Sequence, residues 1–224
     1  MNEYLETLNA KATLDVATLG TVTLEPNTKL RVLPPENDVQ TLDLLRGTMH
    51  AKINAAPRRF VVRTPAALAV DLGCEYTLTV EDDGRGRLAV SYCAVSLERV
   101  DRAPTLVTQG ASCRIGAKGP GTPLADGASP ALRAAADQLD AGDGTAFDRL
   151  VAEATAHDTL TLWHIMRRIT PEERARAYDR LAGFVPPPKG APRDAVVRGE
   201  RAAIASYKEA LTPLWFGSSS SPKK

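Results

Sequence analysis

Three cysteines, Cys74, Cys93 and Cys113, and three histidines, His50, His157 and His164, are the residues of this sequence best suited to nucleophilic or metal chemistry. A reactive thiol needs a neighbouring base or cation to lower its pKa, and a structural zinc needs four nitrogen or sulfur donors, usually delivered as closely spaced pairs. The cysteines are spread along the chain with no Cys-x-x-Cys, and no histidine pair has the His-Glu-x-x-His spacing. His157 and His164 flank a candidate helix start at Asp158, which sets them on different elements and reads as helix-surface histidine. The acidic run "EDDGRGR" lacks the alternating ligands and closing glutamate of a calcium loop, so it reads as a hairpin tip. "GAKGPGT" lacks the Gly-Lys-Ser/Thr ending of a phosphate loop and reads as a hinge. No Gly-x-Ser-x-Gly occurs. The sequence therefore assigns no catalytic, metal-binding or cofactor-binding residue, no cofactor, and no enzymatic activity.

The charge balance narrows the partners. Of 224 residues, 43% are apolar and 25% charged, the balance of an ordinary globular protein, and a net charge of +1 argues against nucleic acid as a partner. No run approaches the ~18 apolar residues of a membrane-spanning helix, and "MNEYLETLNAK" lacks the apolar centre of a signal peptide. Such an opening also fits an extracytoplasmic fragment whose export or membrane segment lies elsewhere.

The elements that must position these residues fall into two blocks. From about residue 10 to 118, apolar residues alternate with period two: Leu14/Val16, Val22/Leu24, Leu30/Val32, Met49/Ala51/Ile53, Phe60/Val62, Tyr76/Leu78/Val80 and Leu88/Val90/Tyr92. Turn signals separate them at Gly20, Pro26-Asn27, Pro34-Pro35, Gly47, Pro57 and Gly84. The alternation breaks twice. In "RLAVSYCAVSLE" the apolar parity changes at Cys93-Ala94, and in "VDLGCEYTLTV" Gly73 interrupts the strand pattern; a parity change without a bulge or bend would swap the buried face.

Beyond "GAKGPGTPLADGASP" the composition turns helical. Ser129-Pro130 starts a helix to about Leu139, Asp143 or Thr145 a second, and Asp158 a third carrying Leu162, Trp163, Met166 and Ile169. Thr170-Pro-Glu-Glu173 is a capping box opening a helix to about Ala182. "VPPPKGAP" is an extended linker before a last helix from Arg193 to Leu211. The arginine-rich run "RRITPEERARAYDR" reads as a solvated face with i,i+4 pairs. The expected core of this half is Leu162, Trp163, Met166, Ile169, Tyr178, Leu181 and Ile204. The fold class is α+β: an N-terminal all-β rolled or sandwiched antiparallel sheet, 1–120, then a helical subdomain, 128–216, and a disordered tail, 217–224.

The segments "LGTVTLEPNTKLRV", "LLRGTMHAKI" and "FVVRTPAALAVDLGCEYTLTVEDDGRGRLAVSYCAVSLE" together resemble the FecR domain family. That family strings together a strand ending in Gly-x-Val, an Arg-Gly corner, a Phe-x-Val-x-Thr strand, a Gly-Thr-x-Phe turn and a final Val-x-x-Gly-x-Val strand. The resemblance covers about residues 10 to 115. It places the corner glycine at Gly47, the Phe-x-Val-x-Thr at Phe60, Val62 and Thr64, and the Gly-Thr-x-Phe at Gly73, Cys74 and Tyr76. Cysteine stands for threonine at Cys74, and Cys93 stands where the family's last strand carries glycine.

What the resemblance implies is a non-catalytic extracytoplasmic sensory or protein-interaction domain of a regulator that controls an alternative sigma factor. The partner would be a protein of the cell envelope, or the sigma-factor system through segments not in this chain. Membrane attachment would come through such a segment, at a periplasmic or other extracytoplasmic location; the alternatives are an envelope-binding or structural module of similar fold, an enzyme with an unrecognised site, and a cytoplasmic location. Outside the cytoplasm thiols are oxidised, and three cysteines allow one bridge and one remaining thiol. A Cys74–Cys113 bridge would then tie the closing strand "ASCRI" to the Gly73 turn, against the alternative of three small buried thiols.

Overall fold

The computed structural model describes residues 3–216. The tail read as disordered lies outside them. The chain divides into two compact units, Met1–Gly121 and Thr122–Lys224.

The first unit holds strands β1 (Glu3–Glu6), β2 (Ala12–Val16), β3 (Gly20–Leu24), β4 (Lys29–Val32), β5 (Gln40–Ile53), β6 (Phe60–Arg63), β7 (Leu68–Asp71), β8 (Glu75–Val80), β9 (Gly86–Tyr92), β10 (Ala94–Arg99), β11 (Arg102–Thr108), β12 (Ala111–Gly116) and β13 (Gly119–Pro120). They form two sheets that share β5. The first runs β1-β4-β5-β6-β7-β10-β11, and the second β2-β3-β5-β8-β9-β12-β13. All pairs are antiparallel except β5–β6, which is parallel because the chain leaves the far end of β5 and returns beside its start at Gln40↔Phe60. The period-two residues supply the core: Val22, Leu24, Leu30, Met49, Phe60, Val62, Leu78 and Leu88 are all fully buried. Each such side chain contributes about 1.5–3 kcal/mol.

Gly47 lets β5 serve both sheets. Leu42–Arg46 pair with β4, with a bulge between the Lys29 and Leu30 partners, while Met49–Ile53 pair with β3. Between them Gly47 sits at φ +90°, where a Cβ would lie 2.4 Å from Thr28 Cα. Thr28 locks the bend from outside: its hydroxyl donates to Thr48 O (3.1 Å) and accepts from Thr48 N–H (3.0 Å). On the first half of β5, Asp43 accepts from Arg31 of β4 and Arg63 of β6, stitching three strands. Burial would raise the Asp43 carboxyl, but the two guanidiniums hold it below the usual range.

One apolar expectation fails in β9. Tyr92 is exposed, because a register shift inserts one extra residue of β9, Ser91, between the Tyr76↔Val90 and Glu75↔Tyr92 pairs and turns Tyr92 outward before the corner. β1 also begins before the expected start of the β block.

The second unit holds helices α1 (Pro130–Ala141), α2 (Ala146–Glu153), α3 (Thr159–Ile165), α4 (Pro171–Phe184), α5 (Arg193–Val197) and α6 (Arg201–Phe216). Ser129 Oγ accepts from Leu132 N–H, and the Thr170/Glu173 capping box is formed, as the punctuation implies. α3 is shorter than expected. Asp158 does not cap it: its carboxylate accepts from Thr155 N–H and Oγ1, closing a 3₁₀ turn, Ala156–Asp158, ahead of the helix. The single last helix is two, divided by Gly199 at φ +79°, whose left-handed backbone ends α5. His164 is buried within α3 rather than on a helix surface, and Ile169, expected in the core, is only half-buried.

The core also takes in Leu132, Phe147, Leu150, Ile165, Tyr207, Leu211 and Trp215. Its aromatic residues bring polar tips with partners: Trp163 Nε1 donates to Ile204 O (3.0 Å), Trp215 Nε1 to Thr159 Oγ1 (3.0 Å), Tyr178 OH to Ala191 O (3.0 Å) and Tyr207 OH to Val185 O (2.7 Å). The arginines act differently from the solvated face expected of them. Arg174 donates to the carbonyls of Met166 (2.6 Å), Ile169 (2.8 Å) and Val197 (2.7 Å), joining the end of α3, the approach to α4 and the end of α5. Arg180 does the same for Ala154 and Ala152.

Two stability comparisons follow from these geometries. Gly47→Ala should cost about 2–5 kcal/mol, combining left-handed strain with overpacking against Thr28. Gly110→Ala has the strain (φ +67°) and open space, so it should cost only about 1 kcal/mol; urea titrations giving the two equal losses would contradict the clash. Arg174→Ala should cost about 2–4 kcal/mol through orphaned carbonyls. Arg193→Ala, which loses an exposed pair with Asp179, should stay within about 0.5–1 kcal/mol by the same measurement.

Candidate functional site

A cluster of reactive side chains in the first unit lies where β7 passes into β8 and β9 passes into β10. Both are passages between the two sheets, and both turn on a left-handed residue, Gly73 (φ +96°) and Cys93 (φ +65°). The local sequence "VDLGC" builds the first corner: Asp71 Oδ1 accepts from Gly73 N–H at 2.5 Å, a side-chain-to-backbone turn two residues long. Gly73 leaves room against Ala55 O, where a Cβ would come within 3.2 Å. The corner is tied to β5 by Ile53 N–H donating to Cys74 O (2.9 Å).

Cys74 is fully buried and its sulfur meets the peptide that joins Cys93 to Ala94: Ala94 N–H donates to Sγ at 3.0 Å and the thiol donates back to Ala94 O. Cys93 is half-buried and its thiol donates to Leu72 O at 3.4 Å. The two thiols are direct neighbours with opposite tendencies. Hydrogen bonding from Cys74 is the main influence holding the Cys93 thiol down to about 6. The same contact with Cys93, followed by burial, pushes Cys74 far above the ordinary thiol value. The two thiols are thus driven apart, the Cys93 thiol held low and the Cys74 thiol held high.

Two further groups complete the cluster. Asp71 is 1% exposed, and its Oδ2 has no hydrogen-bond partner; burial raises its carboxyl to about 7, against the pull of the Gly73 and Cys74 N–H groups. Tyr76 is likewise buried with an unpartnered hydroxyl, and burial, then the Asp71 and Cys74 charges, push it well above the ordinary phenol. Among the described residues no group of three or more histidine, cysteine, aspartate or glutamate side chains could hold a metal ion.

The residues singled out from sequence are distributed as follows. Gly47 and Gly73 are both sheet-crossing bends. Phe60 and Val62 point into the core, and Thr64 closes the β6–β7 turn, its hydroxyl donating to Ala67 O and accepting from Ala67 N–H, each at 3.0 Å. Cys74 and Cys113 are not brought together. Cys113 is opposite Leu88, and Leu88 is opposite Leu78, so Cys113 is displaced from Cys74 by two strands and four residues, about 13 Å along the strand direction alone. A disulfide needs Cα atoms within about 7 Å, so the strand register overturns the Cys74–Cys113 pairing. The Cys113 thiol donates instead to Arg114 O and Gly121 O. Sequence reasoning missed Asp71 as a member of the cluster, although an aspartate two residues before a turn glycine was the available signal.

Residues 4–96 match the family model described as FecR protein. Residues 4–96 are a FecR domain. The match ends inside β10, whereas the folded unit continues through β13. Two crystal structures of a candidate anti-sigma factor from Parabacteroides distasonis, at 2.50 and 1.65 Å, are similar to this chain, both with 16% identity and a TM-score of 0.44. The matches cover 52% and 51% of this chain and 56% and 55% of theirs, so the chain spans little more than half of that protein. No curated protein matches.

Within the FecR domain, Asp71 makes stability depend on pH in a defined direction. Its folded-state pKa of about 7 lies above the unfolded value, so the folded state binds the extra proton between them. The contribution is complete below about pH 4 and is lost as pH rises through about 7. Asp71→Asn keeps an acceptor for Gly73 N–H and removes the buried charge. It should raise stability at pH 8 relative to wild type by on the order of 2–4 kcal/mol, with little gain at pH 4.5, as read from urea midpoints at the two values.

Proposed function

We propose that this chain is a regulatory, protein-binding part of a FecR-type system that controls an alternative sigma factor, and that it works outside the cytoplasm without catalysis. The FecR domain over residues 4–96 carries this reading. The fold supports it in one further respect. Tyr4 and Leu5 are exposed on β1, with Leu8 exposed just beyond it, and among the described residues β1 pairs only with β4, which leaves a strand edge of the kind that protein partners extend. No helix of the described residues is long and apolar enough to cross a membrane, so in this reading attachment belongs to another part of the full protein.

The test is genetic. Removing codons 4–96 in frame should change a set of transcripts sharing one promoter class several-fold, and deleting the corresponding sigma-factor gene as well should abolish the change. Unchanged transcripts would overturn the regulatory reading. Digestion of the tagged full-length protein by protease added to spheroplasts is the expected outcome for its location; protection would place the domain inside the cytoplasm.

A further inference from the structure

We propose that Cys74 and Cys93 form a reversible disulfide site, closed by exchange with a low-molecular-weight disulfide, which pins the β7–β8 corner to the β9–β10 corner. Two features of the geometry carry this. The last paired residues of β8 and β9 are Glu75 and Tyr92, and one further step places Cys74 opposite Cys93. Directly opposed residues of an antiparallel pair have Cα atoms about 4.5–5.5 Å apart, inside the range a disulfide spans. The Cys74 sulfur already lies 3.0 Å from Ala94 N, on the peptide that follows Cys93.

The two sulfurs also divide the labour that exchange requires. Cys93 is the accessible member and Cys74 the sealed one. The Cys93 thiolate attacks one sulfur of R–S–S–R, forming Cys93–S–S–R and releasing RS⁻. Cys74 then attacks the Cys93 sulfur, forming the Cys74–Cys93 bond and expelling the second R–S group, which leaves as RSH with the Cys74 proton. Two protein sulfurs are oxidised and one external disulfide is reduced. Depression of the Cys93 thiol toward 6 supports its role as the attacking sulfur at neutral pH.

Cys93 occupies its corner against the backbone's preference, since φ +65° suits glycine and strains a residue with a Cβ. Cys93→Gly is therefore a variant that removes the thiol while easing the bend, and its reduced form should be at least as stable as wild type.

The full chain, equilibrated with oxidised glutathione, alkylated under denaturing conditions and mapped without reduction, should yield a Cys74–Cys93 cross-linked peptide with Cys113 alkylated. Cys113→Ser should retain the cross-link and Cys93→Gly should lose it. The urea midpoint of wild type, and not that of Cys93→Gly, should rise on oxidation. In the reduced native protein, iodoacetamide should modify Cys93 at least about tenfold faster than Cys74. A Cys74–Cys113 peptide, glutathione retained on Cys93 at equilibrium, or all three cysteines alkylated at every glutathione ratio would each overturn the proposal.

Discussion

Drawn straight, β5 would carry Ile53 about 43 Å from Gln40, yet the seven steps from Ile53 to Phe60 can span only about 25 Å, and Phe60 pairs with Gln40. The strand must therefore fold back on itself, and it does so at Gly47. This constraint sets the rest of the β unit. The chain serves two sheets by passing between them repeatedly, and from β3 onward every passage turns on a residue with left-handed backbone: Asn27, Gly47, Arg58, Gly73, Cys93 and Gly110. Glycine and asparagine accept that conformation at low cost; arginine and cysteine do not.

Corners of this kind bury polar backbone, and the structure satisfies it with short side chains from neighbouring segments. Thr28 and Thr7 serve the Gly47 bend through Thr48, Glu25 and each other. At the second corner Asp71 and Cys74 do the equivalent for Gly73 and Ala94. The difference is that threonine hydroxyls leave nothing ionisable behind. An aspartate and two thiols in the same corner leave it with ionisable groups that the Gly47 bend does not have.

The helical unit solves its own version of the problem with longer side chains. Short helices expose many terminal carbonyls, and Arg174 and Arg180 reach across helix ends to cover them, while buried tryptophan and tyrosine tips take others. Charges that look like surface decoration in the sequence are in this way part of the packing. The physical distinction is between an arginine facing a carboxylate in water, which gains little, and one facing carbonyls that water reaches poorly.

Local patterns determined a great deal. Period-two alternation identified most strands and their buried faces, because side chains of a strand alternate strictly; Ser129-Pro130 and the Thr170/Glu173 box marked helix starts, because capping is satisfied within four residues. The FecR resemblance was legible for the same reason, resting on short motifs such as Phe60-x-Val62-x-Thr64 and the glycine corners. What lay beyond the sequence depended on contacts between distant segments. Tyr92 turns outward through a bulge set by its partner strand, His164 is buried once α3 packs into the second unit, and the last helix breaks at a glycine whose backbone only the packed structure specifies. The cysteines show the division most clearly. Composition and spacing named three thiols and a bend at two of them, but where each sulfur lies is a matter of strand register, and register is decided by pairing across the whole sheet: it brings the Cys74 sulfur to the peptide that follows Cys93 and carries Cys113 two strands away.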